Sequence, residues 1–177
     1  MSVTINASTT SGLVMTSDLS GTLTLQQNGV SLPNGGVAPA FSAYANTTQN
    51  LTTTTSTLVN FGAKEYDTAT CYDTATGKFT PTVAGYYQVN AGINANTTVT
   101  RISLKIYKNG TMAKNPTDVI ATTVNSVEAN ALIYCNGTTD YIQIYTLFTG
   151  VSPQIYGGSA ATDVAFTYFQ ACLVRGT

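Results

Sequence analysis

The sequence predicts an all-β fold, a sandwich or jelly roll of short strands, and three observations support this prediction. The chain has 177 residues, among them 33 Thr, 11 Tyr and 6 Phe, and Thr, aromatic and β-branched residues are the types that fit a pleated sheet. Turn residues interrupt the apolar segments at short, regular intervals. No window holds the 3.6-residue periodicity that a helix requires.

Two regions of the chain differ in composition. Residues 1–36 contain no aromatic residue and a single charged one, Asp18. Such a segment cannot bury a core by itself, so we predict an extended N-terminal β arm that needs a partner surface. Its docking residues are predicted to be Leu13, Leu19, Leu23 and Leu25. Residues 37–177 carry the aromatic residues and are predicted to form the head.

Eight strands are predicted in the head. They cover residues 37–45, 57–62, 67–72, 84–96, 100–108, 118–134, 139–149 and 163–175, and 118–134 is either two strands or one long bent strand. Turn signals separate the strands at Asp73–Gly77, Asn109–Gly110, Asn136–Gly137 and Gly157–Gly158. An Asn-Gly pair is the strongest short hairpin signal, because both residues tolerate positive φ.

The alternation within strand 139–149 separates a core face from an outward face. Ile142, Ile144 and Phe148 share one face, which we predict to be buried, whereas Tyr141 and Tyr145 share the other.

The closing strand, 163–175, is apolar on both faces. One face has Ala165, Phe169, Ala171 and Leu173, and the other has Phe166, Tyr168, Gln170 and Cys172. A sandwich covers one face of each sheet, so burial on both sides predicts that the second face meets another subunit. The alternative is that a loop or the N-terminal arm of the same chain covers it.

Composition excludes several classes of function. The chain has no histidine, which excludes Ser-His-Asp and Cys-His nucleophilic sites, HExxH zinc sites and a histidine general base. The chain has seven Lys and Arg and eight Asp and Glu residues, so it lacks the excess of positive charge that nucleic-acid binding requires. We therefore predict neither an enzyme nor a nucleic-acid-binding protein.

The three cysteines, Cys71, Cys135 and Cys172, form no CxxC pair, so we predict no zinc site, no other metal and no cofactor. Cys135 and Cys172 lie in apolar strand sequences and are predicted to be buried free thiols. A disulfide through Cys71 is the alternative if the protein meets an oxidising medium.

The first residues show neither a positively charged n-region nor an apolar h-region, so no signal peptide is predicted. No run approaches the roughly 18 apolar residues that would span a bilayer. We expect a soluble protein that is made in a cytoplasm and does not insert into a membrane.

A longer motif points to a known family. Val59-Asn-Phe61, Cys71-Tyr-Asp-Thr-Ala-Thr-Gly-Lys-Phe-Thr-Pro81 and Ala84-Gly-Tyr-Tyr87 follow one another in order, with Thr139-Asp-Tyr-Ile142 and Phe166-Thr-Tyr-Phe169 further along. Together they resemble the C1q/TNF-like globular head over about 140 of the 177 residues. The pattern departs from that family at Thr139 and Tyr168, where the family has glycine.

The resemblance implies a jelly roll that assembles as a compact homotrimer and binds ligands on its outer surface or between subunits, without enzymatic activity. Matched residue by residue, the closing strand would direct Phe166, Tyr168 and Gln170 towards the threefold axis. Phe169 and Leu173 would enter the sandwich core.

The stretch SGLVMTSDLSGTLTLQQNGV, residues 11–30, resembles the short β segments of bacteriophage tail-fibre and virion proteins. The first hypothesis is therefore a trimeric phage fibre or fibre-tip protein, docked on another virion protein by its arm, whose head contacts the host surface. The alternative is a capsid decoration (cement) protein that stabilises the phage head. A depolymerase is a third, weaker hypothesis.

Two sets of surface residues are candidates for contact with a host glycan. Tyr141 and Tyr145 can stack on sugars, or they are subunit contacts or ordinary surface tyrosines. Arg101, Lys105 and Lys108 fall near one hairpin and either attract an anionic glycan or keep the surface soluble.

Overall fold

The computed structural model describes residues 26–27, 30–31, 38–158 and 166–177. The chain divides into two units, Met1–Asn34 and Gly35–Thr177. In the first unit, β1 (Gln26–Gln27) and β2 (Val30–Ser31) form an antiparallel pair. The predicted docking residues lie outside the described residues, and the arm remains a prediction: Leu13, Leu19, Leu23 and Leu25.

The second unit is all-β throughout the part that the structure describes, as predicted. Its strands are β3 (Ala40–Tyr44), β4 (Gln49–Asn50), β5 (Thr57–Leu58), β6 (Ala63–Asp67), β7 (Tyr72–Asp73), β8 (Lys78–Phe79), β9 (Ala84–Lys108), β10 (Thr111–Asn136), β11 (Ile142–Gly150), β12 (Gln154–Ile155) and β13 (Tyr168–Gly176).

Two long antiparallel strands, β9 and β10, organise these strands into two layers. Layer 1 contains β6, β3, β13, residues 84–94 of β9 and residues 126–136 of β10, paired in that order. Layer 2 contains residues 111–120 of β10, residues 99–108 of β9, then β11 with β5 and β8 beside it, and β7 beyond β8. Together the layers form the predicted jelly-roll sandwich.

The corner between the layers lies inside β9 and β10. The register between these strands shifts between Ile120 and Val124 and again between Val124 and Ser126, and such irregularities bend a strand. The predicted strands 84–96 and 100–108 are therefore one continuous strand. Of the two interpretations of 118–134, the single long bent strand is correct. Residues 96–100, which are polar except for Val99, include no Gly or Pro that would end β9.

The inward faces of the layers meet in one apolar core. The ring centroid of Phe41 lies 4.6 Å from that of Tyr72, 4.7 Å from Phe79 and 4.8 Å from Phe169. Phe79 of layer 2 also contacts Tyr87 of layer 1, at 5.4 Å. The residues predicted to be the core face of β11 are buried, as expected: Ile142, Ile144 and Phe148.

The two Asn-Gly pairs have different roles. Asn109 and Gly110 both have positive φ, 52° and 77°, and join β9 to β10 in the predicted hairpin. Asn136 and Gly137 also form a turn, with φ of 74° at Gly137. However, β11 pairs with β9 and not with β10, so this turn carries the chain from layer 1 to layer 2 and closes no hairpin.

The predicted strand 67–72 is wrong, and the side chain of Asp67 is the reason. Its carboxylate accepts hydrogen bonds from the N–H groups of Cys71 at 2.9 Å and Tyr72 at 3.1 Å. It also pairs with the Lys64 ammonium at 3.1 Å. Because one carboxylate gathers these donors, the chain turns between β6 and β7.

The closing strand β13 lies between β3 and β9. Phe169 and Ala171 are buried and Leu173 packs against the core, as expected. Cys135 is buried as predicted, but the prediction of a buried Cys172 is wrong, because this thiol lies on the outward face of β13 and is exposed. All three cysteines are free thiols.

Asp140 joins the two Asn-Gly turns. One carboxylate oxygen accepts from the Asn109 side-chain amide at 2.7 Å, and the other accepts from the Asn136 N–H at 2.9 Å and pairs with the Lys108 ammonium at 2.8 Å. The hydrogen bond from Lys108, with those from Asn109 and Asn136, holds the pKa of Asp140 below its ordinary value of 3.8 against the opposing effect of burial.

We expect Asp140→Asn to lower the free energy of unfolding by about 1.5–3 kcal/mol, because it weakens charge-assisted hydrogen bonds to a buried group. Because the folded-state pKa is lowered, the stabilisation is complete above the ordinary pKa and is lost as the pH falls through the folded-state value. Urea unfolding from pH 7 downwards measures both effects. Asp118→Asn, at an exposed ion pair with Arg101, should cost far less. A difference that stays constant to the lowest pH would contradict this account.

Candidate functional site

Layer 1 turns one face to the core and the other away from it, and this outward face is the candidate site. The predicted interface residues Tyr168 and Gln170 both lie on it in β13, where they are half-buried. Phe166 precedes the strand at the margin of the face and is 50% exposed. Its ring meets that of Tyr156 edge-on at 5.6 Å.

The strand register arranges the outward side chains in rows across the face. Each row crosses the sheet from one strand to the next. The first row is Tyr66, Ser42, Gln170, Asn90 and Asn130, and the second is Tyr44, Tyr168, Gly92 and Glu128. The third row is Ala40, Cys172, Gln88 and Leu132, and the fourth is Tyr86 and Tyr134.

Large apolar side chains remain exposed in these rows. Tyr66, Tyr86, Leu132 and Tyr134 are between 41% and 52% exposed. The solvated face of an antiparallel sheet is normally polar. Tyr86, Leu132 and Tyr134 lie together on the paired strands β9 and β10, whereas Tyr66 lies on β6 at the other edge of the layer. A cluster of exposed apolar side chains such as the first three marks an interaction site. At the edge of the sandwich, a groove between the two halves of β10 is lined by Lys114, Asn115, Pro116, Asn130, Ala131 and Leu132.

Tyr168, one of the departures from the family pattern, lies across the sheet towards β10. Its hydroxyl donates to the Glu128 carboxylate at 3.3 Å. Gly92 lies between them in the register, and a Cβ at Gly92 would sit 2.4 Å from the Tyr168 ring. A glycine on the neighbouring strand therefore supplies the space that the tyrosine fills. Burial raises the pKa of Tyr168, and the Glu128 charge adds to the effect.

We expect Gly92→Ala to displace the Tyr168 ring and to break its hydrogen bond to Glu128. The pKa of Tyr168 should then fall towards 10, the ordinary value for a tyrosine, which a pH titration of ring-labelled tyrosine by NMR would detect. Gly176→Ala is the matched control on the same layer, because its Cβ would meet no heavy atom closer than the Ala84 carbonyl oxygen at 3.8 Å. An unchanged Tyr168 titration in Gly92→Ala would contradict the expected displacement.

The outward face of layer 2 carries the other predicted candidates, Tyr141 and Tyr145, both half-buried. The Tyr145 ring stacks on Tyr107, with centroids 4.2 Å apart and planes 28° apart. The Lys78 ammonium lies 4.1 Å from the centroid of the Tyr141 ring. Sequence reasoning missed Tyr107 and Lys78. The signal for Tyr107 was its spacing from Lys105 in the predicted strand 100–108, which puts both on one face.

The three predicted cations are not equivalent. Arg101 donates to both carboxylate oxygens of Asp118, at 2.8 and 2.7 Å, and Lys108 pairs with Asp140. Lys105 is the one of the three without an ion pair among the described residues, and its ammonium lies 3.5 Å from the Ser56 hydroxyl oxygen.

Reactive groups are few in the part of the chain that the structure describes. Burial raises the pKa of Cys71 to about 12 and that of Cys135 to about 11, so both thiols stay protonated near neutral pH. No group of three or more Cys, Asp or Glu residues is arranged to hold a metal ion among those residues. No described segment is a helix with the length and apolarity needed to cross a membrane.

Comparison with known proteins identifies the architecture. A family model described as the C1q domain matches residues 40–169, a range that includes most of both layers. No curated protein is detectably similar to the chain in sequence.

Solved structures share the fold at low sequence identity. The globular domain of zebrafish complement 1qA protein superposes with a TM-score of 0.57 and 18% identity, covering 79% of this chain and 99% of that domain. Murine APRIL gives 0.55 and 8%, covering 77% and 98%. The PRD1 vertex protein P5 gives 0.54 and 17%, covering 80% and 100%. These similarities confirm the C1q/TNF-like jelly roll.

Proposed function

Because the chain belongs to the C1q domain family, we propose that it is a bacteriophage virion structural protein, a trimeric fibre or fibre-tip protein. Three C1q-like heads associate through layer 1, and the N-terminal arm docks the trimer onto another virion protein. The exposed apolar face of layer 1 is the observation that carries this proposal.

The layer 1 face supports self-association because it exposes large apolar side chains to solvent. Leu132, Tyr86 and Tyr134 lie together at one end of it, and burial of apolar surface drives association. Domains of this family typically form homotrimers. In the proposed trimer Phe166, Tyr168 and Gln170 approach the threefold axis.

A position on the virion is supported by one structural neighbour and by the arm. PRD1 P5 is described as a vertex protein, which fits a component of a virus particle. The arm, poor in charge and without aromatic residues, suits docking along another protein through Leu13, Leu19, Leu23 and Leu25. The protein then occupies the tail or capsid surface after synthesis in the host cytoplasm.

The proposed role is binding and assembly, without catalysis. The chain has no histidine, and its two buried cysteines remain protonated. Domains of this family are generally binding or structural modules. We therefore expect no release of reducing sugar from a host polysaccharide.

Light scattering coupled to size exclusion tests the proposed assembly. The full chain should have three times the 18.5 kDa mass of one chain, and so should a shortened chain that starts at Val37, scaled to its own mass. A full chain that is monomeric at micromolar concentration would overturn the proposal. A trimer that needs residues 1–36 would move the association out of layer 1.

A capsid decoration protein is the second candidate, favoured by the description of the PRD1 neighbour as a vertex protein. In that role the trimer stabilises the phage head. Particles that lack the protein discriminate the two roles. Loss of adsorption with intact heads supports the fibre, whereas loss of thermal or osmotic stability with normal adsorption supports the cement protein.

A further inference from the structure

We infer that the outward face of layer 2 binds an anionic polysaccharide, through a surface that we call the tyrosine–lysine patch: Lys78, Lys105, Tyr107, Tyr141 and Tyr145. The inference rests on the proposed function, because it names the class of host ligand that a projecting head would contact.

The aromatic side chains of the patch are held in place by their neighbours. Tyr107 and Tyr145 stack with centroids 4.2 Å apart, and Gln143, the register partner of Tyr107, is buried beside them. The Gln143 amide donates to the Thr76 carbonyl at 2.8 Å, which holds the neighbouring loop against the strand. Tyrosines held in this way offer a rigid surface with an apolar ring and a polar hydroxyl, at a low cost in conformational entropy.

The charge on the patch is positive and is not neutralised by an ion pair with a described residue. Lys105 is the register partner of Tyr145, and among the described residues its ammonium is hydrogen-bonded to the Ser56 hydroxyl at 3.5 Å. Lys78 lies over Tyr141 at 4.1 Å. Both cations are therefore available to a bound anion.

The carboxylates near the patch have hydrogen-bond or ion-pair partners other than Lys78 and Lys105. Asp73, the register partner of Lys78, accepts hydrogen bonds from the Ala75 N–H and the Thr76 hydroxyl at 2.9 and 2.6 Å. Asp118 and Asp140 pair with Arg101 and Lys108. Asp118 and Asp140 therefore pair with other cations, and Asp73 is held by uncharged donors, which leaves Lys78 and Lys105 without an ion pair among the described residues. The complementary ligand is an anion with sugar-like faces.

The position of the patch would allow several copies of it to bind one polymer chain. The outward faces of the two layers lie on opposite sides of the sandwich, so association through layer 1 leaves the tyrosine–lysine patch accessible. A trimer presents three patches, and a polymer with repeated acidic sugars can engage more than one of them. Linked sites raise the overall affinity without any new contact.

The test uses the full chain on three immobilised acidic polymers, alginate, hyaluronan and heparin, with dextran as the neutral control. Retention on at least one acidic polymer, absent on dextran and weakened by salt, is the expected result. Equal retention on dextran, or none on any acidic polymer at low salt, overturns the inference.

Variants assign the binding to the patch. The double variant Lys78→Ala/Lys105→Ala should bind about tenfold more weakly or worse, a factor equivalent to about 1.4 kcal/mol. Tyr145→Ala should also weaken binding, although it leaves the charge unchanged. Lys114→Ala removes a cation outside the patch and should bind as the wild type does. Wild-type affinity in the double variant or in Tyr145→Ala overturns the inference.

Light scattering on the same samples separates this inference from the proposed function. A variant that stays trimeric and loses retention supports both. A wild-type trimer without retention on any acidic polymer overturns the ligand and leaves the assembly. A monomeric wild type that retains salt-sensitive, Tyr145-dependent binding supports the patch and overturns the assembly.

Discussion

Replacing Leu132 with aspartate is expected to convert the proposed trimer into monomers. Leu132 lies on the outward face of layer 1, in the row of Gln88 and Cys172, and is 52% exposed in the single chain. An unpaired carboxylate forced into a subunit contact costs several kcal/mol, roughly 3–5 kcal/mol by analogy with a broken buried pair. The same carboxylate in the free monomer remains in water, so the head should stay folded. Light scattering should give one third of the wild-type mass.

Val151→Asp is the control for this experiment. Val151 is 88% exposed and lies after β11, in no strand of layer 1, so the same gain of charge should leave the trimer intact. A trimeric Leu132→Asp variant at micromolar concentration would move the interface away from this face. Monomers from both variants would point to a general effect of added charge.

Replacing Phe41 with alanine is expected to lower the free energy of unfolding by about 3–5 kcal/mol. The ring is fully buried and contacts Tyr72, Phe79 and Phe169, each with centroids within 4.8 Å. Its removal leaves a cavity where β3, β7, β8 and β13 meet, and the surrounding rings cannot all move to fill it. Guanidinium unfolding followed by tyrosine fluorescence measures the loss.

Two further variants calibrate this result. Phe41→Leu keeps most of the apolar volume and should cost less, so it reports on the same position if Phe41→Ala does not fold. Val151→Ala removes exposed apolar atoms and should stay within about 0.5 kcal/mol of the wild type. A midpoint of Phe41→Ala equal to that of the wild type would show that the stack contributes little to stability.

Local patterns predicted the parts of the fold that depend on neighbouring residues in the sequence. Alternation with a period of two is enough to separate Ile142 and Ile144 from Tyr141 and Tyr145, because successive side chains in a strand point to opposite faces. The Asn109–Gly110 turn was also predictable from local sequence, because Asn and Gly tolerate the positive φ that the turn requires.

Features that depend on specific side-chain contacts could not be predicted from alternation. The turn after Asp67 forms because its carboxylate accepts from the N–H groups of Cys71 and Tyr72, four and five residues further on, although the segment has the composition of a strand. Alternation placed Cys172 on the correct face of β13, but the prediction of a buried thiol failed because the described residues of a single chain leave that face exposed. The pairing of Tyr168 with Gly92 joins positions 76 residues apart, so no local pattern contains it.

The candidate surfaces were predicted only in part. Tyr168, Gln170, Tyr141 and Tyr145 were identified from their own strands, but the partner positions come from the sheet register. Tyr107 becomes part of a surface only when β9 lies beside β11.

The continuity of β9 and β10 through both layers has a consequence for how the head opens. Backbone amides of Val89 in layer 1 and Ile106 in layer 2 belong to the same strand, and each layer contains one half of β9 paired with one half of β10. Neither layer can separate as an independent unit while the other keeps its hydrogen bonds. In native-state hydrogen exchange, the slowest amides of the two layers should therefore share one opening free energy, that of global unfolding. The head is then expected to be a single foldon, whose two layers open together.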